Sequence, residues 1–187
     1  MMKIKFSQEL LTILGYARDE AMRTGSYGIG ADHIVLGLLR HRDNNACRAL
    51  TACGVSLDDF KEAIDERVFS DQAVPWHDQA QVRPTRAAAA LLSASAYEAL
   101  KHDQFEILSS HFLLALLRSE NNAAVEYLHD KGLHYDTVYA LMREHLFVLP
   151  RSGQEPVLPK IEDLLGPLGE QLTHLYGEAR DKTNYYS

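Results

Sequence analysis

Ile29-Gly30-Ala31-Asp32-His33-Ile34-Val35-Leu36-Gly37-Leu38-Leu39-Arg40 returns 78 residues later as Ile107-Leu108-Ser109-Ser110-His111-Phe112-Leu113-Leu114-Ala115-Leu116-Leu117-Arg118. The register holds on both sides without a gap. Upstream, Leu14 meets Leu92, Glu20 meets Glu98 and Ala21 meets Ala99. Downstream, Asn44 meets Asn122, Ala46 meets Ala124, Leu50 meets Leu128, Gly54 meets Gly132 and Asp58 meets Asp136. Ungapped matches from Leu14 to Asp58 mark an internal duplication, and a duplication sets the fold before any single element does.

The rest of the chain fits around two copies of one helical unit. Ser7 caps a helix running to Arg23, with Leu10, Leu11, Ile13, Leu14, Ala17 and Ala21 on one face. Gly25, Gly28 and Gly30 then break it. Asp32 to His41 reads as a short helix, apolar nearly all round and therefore buried. Asn44 or Asn45 caps a third helix to Cys53, and Gly54 closes it in the left-handed conformation a helix end favours. Ser56 caps a fourth, to about Val68. Residues 69–83 hold Pro75 and show no period, so they read as the linker between repeats. Trp76 in that linker reads as an anchor across the repeat junction, with a partner contact as the other reading.

Thr85 opens the second copy. Its helices run from about Arg86 to His102, Ser110 to Ser119, Asn122 to Lys131 and Tyr135 to Leu146, and Pro150 ends it. The expected fold is all-α: repeat 1 over 1–68, repeat 2 over 84–149, and a tail over 150–187. Ile161, Leu164, Leu165, Leu168, Leu172 and Leu175 give that tail one amphipathic helix, whose stripe must cover the body, a further domain or another chain.

Composition narrows the function. With 187 residues and 46% hydrophobic content, the chain fills a core and is not globally disordered. A net charge of −7 and no Lys/Arg-rich run argue against nucleic acid or an anionic membrane as partner. No apolar stretch reaches membrane-spanning length, and polar Ser7-Gln8-Glu9 directly follows Phe6, so no signal-peptide core forms. Cys47 and Cys53, absent from the second copy, make no disulfide framework and suit a reducing cytosol. The expected location is cytoplasmic.

Phe6-Ser7, the helix through Ala17-Arg18-Asp19-Glu20-Ala21, the glycine loop, Gly30-Ala31-Asp32-His33 with its apolar helix, and then Ala46, Leu50 and Gly54-Val55 carry a resemblance. Taken twice, the pattern resembles the double Clp repeat, the N-terminal domain of Clp-type AAA+ unfoldases, nearest to the ClpC and ClpA kind. It covers about residues 1–148. The tail around Leu164-Leu165-Gly166-Pro167-Leu168 looks like the segment leading into that family's first ATPase module. The resemblance implies two four-helix units in pseudo-two-fold packing that receive adaptor proteins and unfolded or tagged substrates. It implies an ATPase module acting in cis or in trans, no cofactor, and a monomeric isolated domain. By family match the partner-binding positions are Ala31, Asp32, Ser109 and Ser110. In some ClpC proteins a Thr-Glu pair here holds a phosphorylated arginine. Asp32 keeps a carboxylate of shorter reach that would pair with a guanidinium, whereas Ser110 supplies no charge.

Catalytic readings are weaker. No G-x-x-x-x-G-K-[ST] occurs, so no such loop cradles a nucleotide phosphate. Ser109, Ser110 and His111 are contiguous, yet no G-x-S-x-G elbow surrounds them, and a small serine hydrolase is the last of the readings. His33 and His111 open equivalent helices without further ligands at metal spacing, and read as neutral residues bonding loop backbone. The leading expectation is a protein-docking module without chemistry. A stand-alone adaptor acting in trans on a Clp ATPase is the alternative.

Overall fold

Among the described residues, five helices are started by a capping side chain. In the computed structural model, which describes residues 3–144 and 157–177, Ser7, Asn44, Ser56, Thr85 and Asn122 each accept the amide three residues on. They open α1 (Gln8–Arg23), α3 (Asn45–Ala52), α4 (Leu57–Val68), α5 (Arg86–Leu100) and α7 (Ala123–Asp130). Between them lie α2 (Ala31–Arg40) and α6 (Ser109–Leu117), with α8 (Tyr135–Glu144) and α9 (Ile161–Tyr176) following. Gly54 and Gly132 end α3 and α7 with φ of +84° and +78°, the left-handed geometry expected of them.

The architecture is all-α around two buried helices. Every residue from His33 to Leu39 in α2 is buried, and so is every residue of α6. Phe60 of α4 stacks on Tyr127 of α7 with ring centroids 5.0 Å apart, joining the copies through their aromatic cores. No helix among the described residues is long and apolar enough to cross a membrane.

Among the described residues four two-residue strands interlock the copies, a feature absent from the sequence reading. β1 (Lys5–Phe6) runs parallel to β4 (Glu106–Ile107), and β2 (Gly28–Ile29) parallel to β3 (Arg83–Pro84). Adding 78 to β1 gives β3, and subtracting 78 from β4 gives β2. Exchanging the copies therefore turns one strand pair into the other, which is a pseudo-two-fold relation written in hydrogen bonds. Each copy lends a strand to its twin.

In the linker, Trp76 does not play the anchoring part expected of it. The linker contains a 3-10 turn at Trp76–Gln81. Trp76 is 72% exposed and anchors nothing. The anchoring falls to Val74 and Val82, both buried, with the Val74 amide donating to the Met22 carbonyl at 2.8 Å. The expected end of repeat 2, at residue 149 and Pro150, lies outside the described residues.

α9 folds back on the body, across α1, β1 and α5. Leu164, Leu168 and Tyr176 are buried beneath it. The Gln171 side chain accepts from the Phe6 amide at 2.7 Å and donates to the Ile4 carbonyl at 3.1 Å. It pairs with the outer edge of β1 much as a neighbouring strand would. Tyr176 donates its hydroxyl to the Leu14 carbonyl at 2.6 Å. The helix itself is a poor one. Gly166, Pro167 and Gly169 lie inside it, and interior positions cost about 1 kcal/mol per glycine and about 3 kcal/mol for proline. Packing, not propensity, holds α9.

Candidate docking site at the repeat junction

The loops before α2 and α6 present the same first turn. His33 Nδ1 accepts from the Gly30 amide at 2.9 Å, and His111 Nδ1 accepts from the Leu108 amide at the same distance. Each imidazole does the work of the glutamate in a capping box, satisfying the N-cap amide from the third helical position. With Nδ1 accepting, the proton sits on Nε2. In His111 that nitrogen faces Gln104 Oε1 at 3.1 Å. Burial drives the His111 imidazole down to about 3 and lowers His33 as well, so both stay neutral at physiological pH.

Helices α3 and α7 point their N-termini at these loops from the opposite copy. Asp32 accepts from the Ala123 and Ala124 amides at 3.0 and 2.9 Å. One carboxylate thus covers the first turn of α7, where unpaired amides and the helix dipole favour negative charge. The pseudo-equivalent turn belongs to Asn45 and Ala46 of α3, and there Ser110 stands in place of Asp32. The cover comes instead from Glu9, which accepts the Asn45 and Ser109 amides, both at 2.8 Å. Ser109 Oγ completes it by accepting the Ala46 amide at 2.9 Å. Each junction keeps its carboxylate, but from a different sequence position.

That exchange leaves the two junctions unlike. The position equivalent to Glu9 is Ala87, and beside it lies a cleft of about 360 Å³ lined by Ala31, Asp32, Val68, Thr85, Ala87 and Leu91, among others. On the other side the Glu9 side chain reaches in, and Ser109 and Ser110 are fully buried. Of the four positions taken from the family match, Ala31 and Asp32 line the open cleft, while Ser109 and Ser110 lie in the interior. Ser110 Oγ has no hydrogen-bond partner there. The sequence reading missed Glu9, Ala87 and the start of α7. The mismatch of Glu9 with Ala87 at the repeat offset was the available clue.

The serine-histidine run forms no nucleophile–base pair. Both His111 nitrogens are engaged elsewhere, and Ser109 Oγ serves α3. Cys47 is buried, donates weakly to the Leu38 carbonyl at 3.4 Å, and has its thiol pushed up to about 11 by burial. No group of three or more His, Cys, Asp or Glu suited to a metal occurs among the described residues.

Known proteins share this fold. The model of the Clp repeat (R) N-terminal domain matches residues 5–131. The chain is 28% identical over 133 residues to the negative regulator of genetic competence ClpC/MecB of Bacillus subtilis, covering 71% of this chain and 16% of that protein. It is 27% identical over 133 residues to the chaperone protein ClpB of Oceanobacillus iheyensis, with the same two coverages of 71% and 16%. The chain therefore matches only about a sixth of the length of either relative. Among solved structures, the Hsp104 N-terminal domain from Candida albicans aligns with a TM-score of 0.61 at 14% identity, over 82% of this chain and 99% of that one. The N-terminal domain of ClpD from Arabidopsis thaliana aligns with a TM-score of 0.55 at 18% identity, over 75% and 96%.

Proposed function

Because this chain belongs to the Clp repeat N-terminal domain family, we propose that it docks adaptor proteins and unfolded or tagged substrates for a Clp-type ATP-dependent unfoldase. The module binds without chemistry and raises the local concentration of its clients near the unfoldase, whether the ATPase lies in the same polypeptide or a separate one. One observation carries the site: a cleft lies beside Ala31, Asp32 and Ala87, whereas at the twin position Glu9 occupies the place of Ala87 and accepts the Asn45 and Ser109 amides. A partner then meets one site and one orientation, not a matched pair. Ala31 and Asp32 supply the contact surface, while Ser109 and Ser110 are buried and Ser109 caps α3.

Phosphoarginine stands outside this proposal. Each Asp32 oxygen already accepts an α7 amide, so a guanidinium would have to compete for them.

The test is Ala87→Gln, which places a neutral copy of the Glu9 side chain in the open cleft. The immobilised native chain is expected to retain proteins from a lysate that the variant loses, with the melting temperature of the variant within about 2 °C of the native value. Identical retained sets would sink the site. Retention by neither chain would sink the docking role.

A further inference from the structure

The face under α9 has the composition of a second recognition surface. Ile4, Phe6 and Leu14 are almost fully buried, and α9 packs over the elements that carry them. The cover is ill suited to permanence. Its helix contains Pro167, with Gly166 and Gly169 on either side. Neither glycine is required by crowding, since nothing lies within 4 Å of where a Cβ would stand. Lys160 provides no side-chain cap at its start. Ile161 and Leu165, four residues apart on α9, remain 44% and 53% exposed, so the docked helix leaves part of its apolar surface uncovered.

The recognition elements are few and defined. They are a leucine ladder at i, i+4 and i+8 (Leu164, Leu168, Leu172) and a glutamine at i+7 (Gln171) that accepts from the Phe6 amide on the outer edge of β1 and donates to the Ile4 carbonyl just before it. The edge is single-copy. Phe6 donates its amide to Gln171, whereas the pseudo-equivalent residue of β3 is Pro84, which has no N–H to give. The duplication therefore left one strand edge able to read an amide, and α9 sits on it.

We propose that the α1–β1–α5 face is a docking surface for an amphipathic helical segment of a partner protein, one carrying this leucine ladder and amide, with the chain's own α9 as its resident occupant. This surface is separate from the cleft at Asp32. A partner gains access by displacing α9, and its apparent affinity falls by the fraction of time α9 is docked.

The probe is a fluorescein-labelled peptide of residues 157–177, titrated by anisotropy into the full chain. Leu168→Asp undocks α9, and the peptide is expected to bind this variant at least about tenfold tighter than the native chain, the factor set by a helix docked about nine-tenths of the time. Gln171→Ala, a milder change outside the body, should shift binding in the same direction while circular dichroism shows the body intact. A peptide of unrelated sequence that keeps only the ladder and the glutamine should bind the released chain too. Failure of that peptide would overturn the proposed partner class. Failure of the native peptide to bind a folded, released chain, or equal binding to native and released chains, would overturn the surface itself. Ala87→Gln leaves all of these titrations unchanged, so the result stands apart from that of the cleft.

Discussion

His111 gives one ring nitrogen to the Leu108 amide and the other to Gln104, inside a site with no solvent exposure. Its neutral form is thus built into the fold, and burial holds its pKa near 3 against an unfolded value near 6.5. The sign follows. Above about pH 6.5 neither state carries the proton, so the group adds no pH dependence. Below that, the unfolded chain binds the proton and the folded one refuses it, so stability falls as pH drops toward the folded value. The slope from this residue reaches at most about 1.4 kcal/mol per pH unit. Urea titrations of His111→Gln between about pH 6.5 and pH 4 should show that slope reduced. An unchanged slope would mean that His111 is not the group responsible. At this scale the sequence was partly legible. The recurrence of histidine at the same place in both copies pointed to a structural role, because its acceptor bond lies three residues away. Asp32 was visible as a charge but not as a spent one, since its donors lie 91 and 92 residues further on. Glu9 serves amides 36 and 100 residues away, and no local pattern announces such a bond.

α2 and α6 carry the same apolar pattern, yet they meet their neighbours differently. Gly37 faces α1 so closely that an added Cβ would stand 2.6 Å from the Ile13 carbonyl oxygen and 2.8 Å from the Ala17 amide nitrogen. Those are backbone atoms of a packed helix and cannot rotate away. Alanine at this position gains about 1 kcal/mol of helix propensity, but the overpacking opposes it with about 1–3 kcal/mol. Because the clash is with backbone, the penalty wins, and Gly37→Ala should lower stability in a urea melt. The equivalent residue of α6 is already Ala115, which packs at 4% exposure, so the restriction belongs to the α1–α2 crossing alone. A stability equal to or above that of the native chain would show that α1 can shift to make room. The helices were readable from period and caps because those signals are local. The strands were not, because a two-residue strand is too short to show an alternating pattern. Trp76 misled because a large aromatic beside a proline resembles an anchor, while smaller Val74 and Val82 do that work.

Across the whole molecule, the two copies are joined by exchanged strands, a cross-copy carboxylate at each junction and the aromatic stack of Phe60 with Tyr127. The duplication was plain in the sequence, and the all-α class followed from it. The asymmetry was harder to see, since it arises where the copies differ by single residues: Glu9 against Ala87, Asp32 against Ser110, Phe6 against Pro84. Each difference turns a symmetric frame into one with a distinguishable side. β1 shows the result in three consecutive amides. Lys5 and Ser7 donate across to the carbonyls of Phe105 and Ile107 in the other copy, at 2.9 and 3.0 Å. Phe6, between them, donates the opposite way, to Gln171 of α9. Neighbouring protons along one strand therefore keep separate clocks. Deuterium uptake at Phe6 times the lifting of α9, and uptake at Lys5 and Ser7 times the parting of the repeats. In native-state exchange followed by NMR, Phe6 should exchange well before the residues on either side. Equal rates at all three would mean that the tail and the repeats come apart as one body.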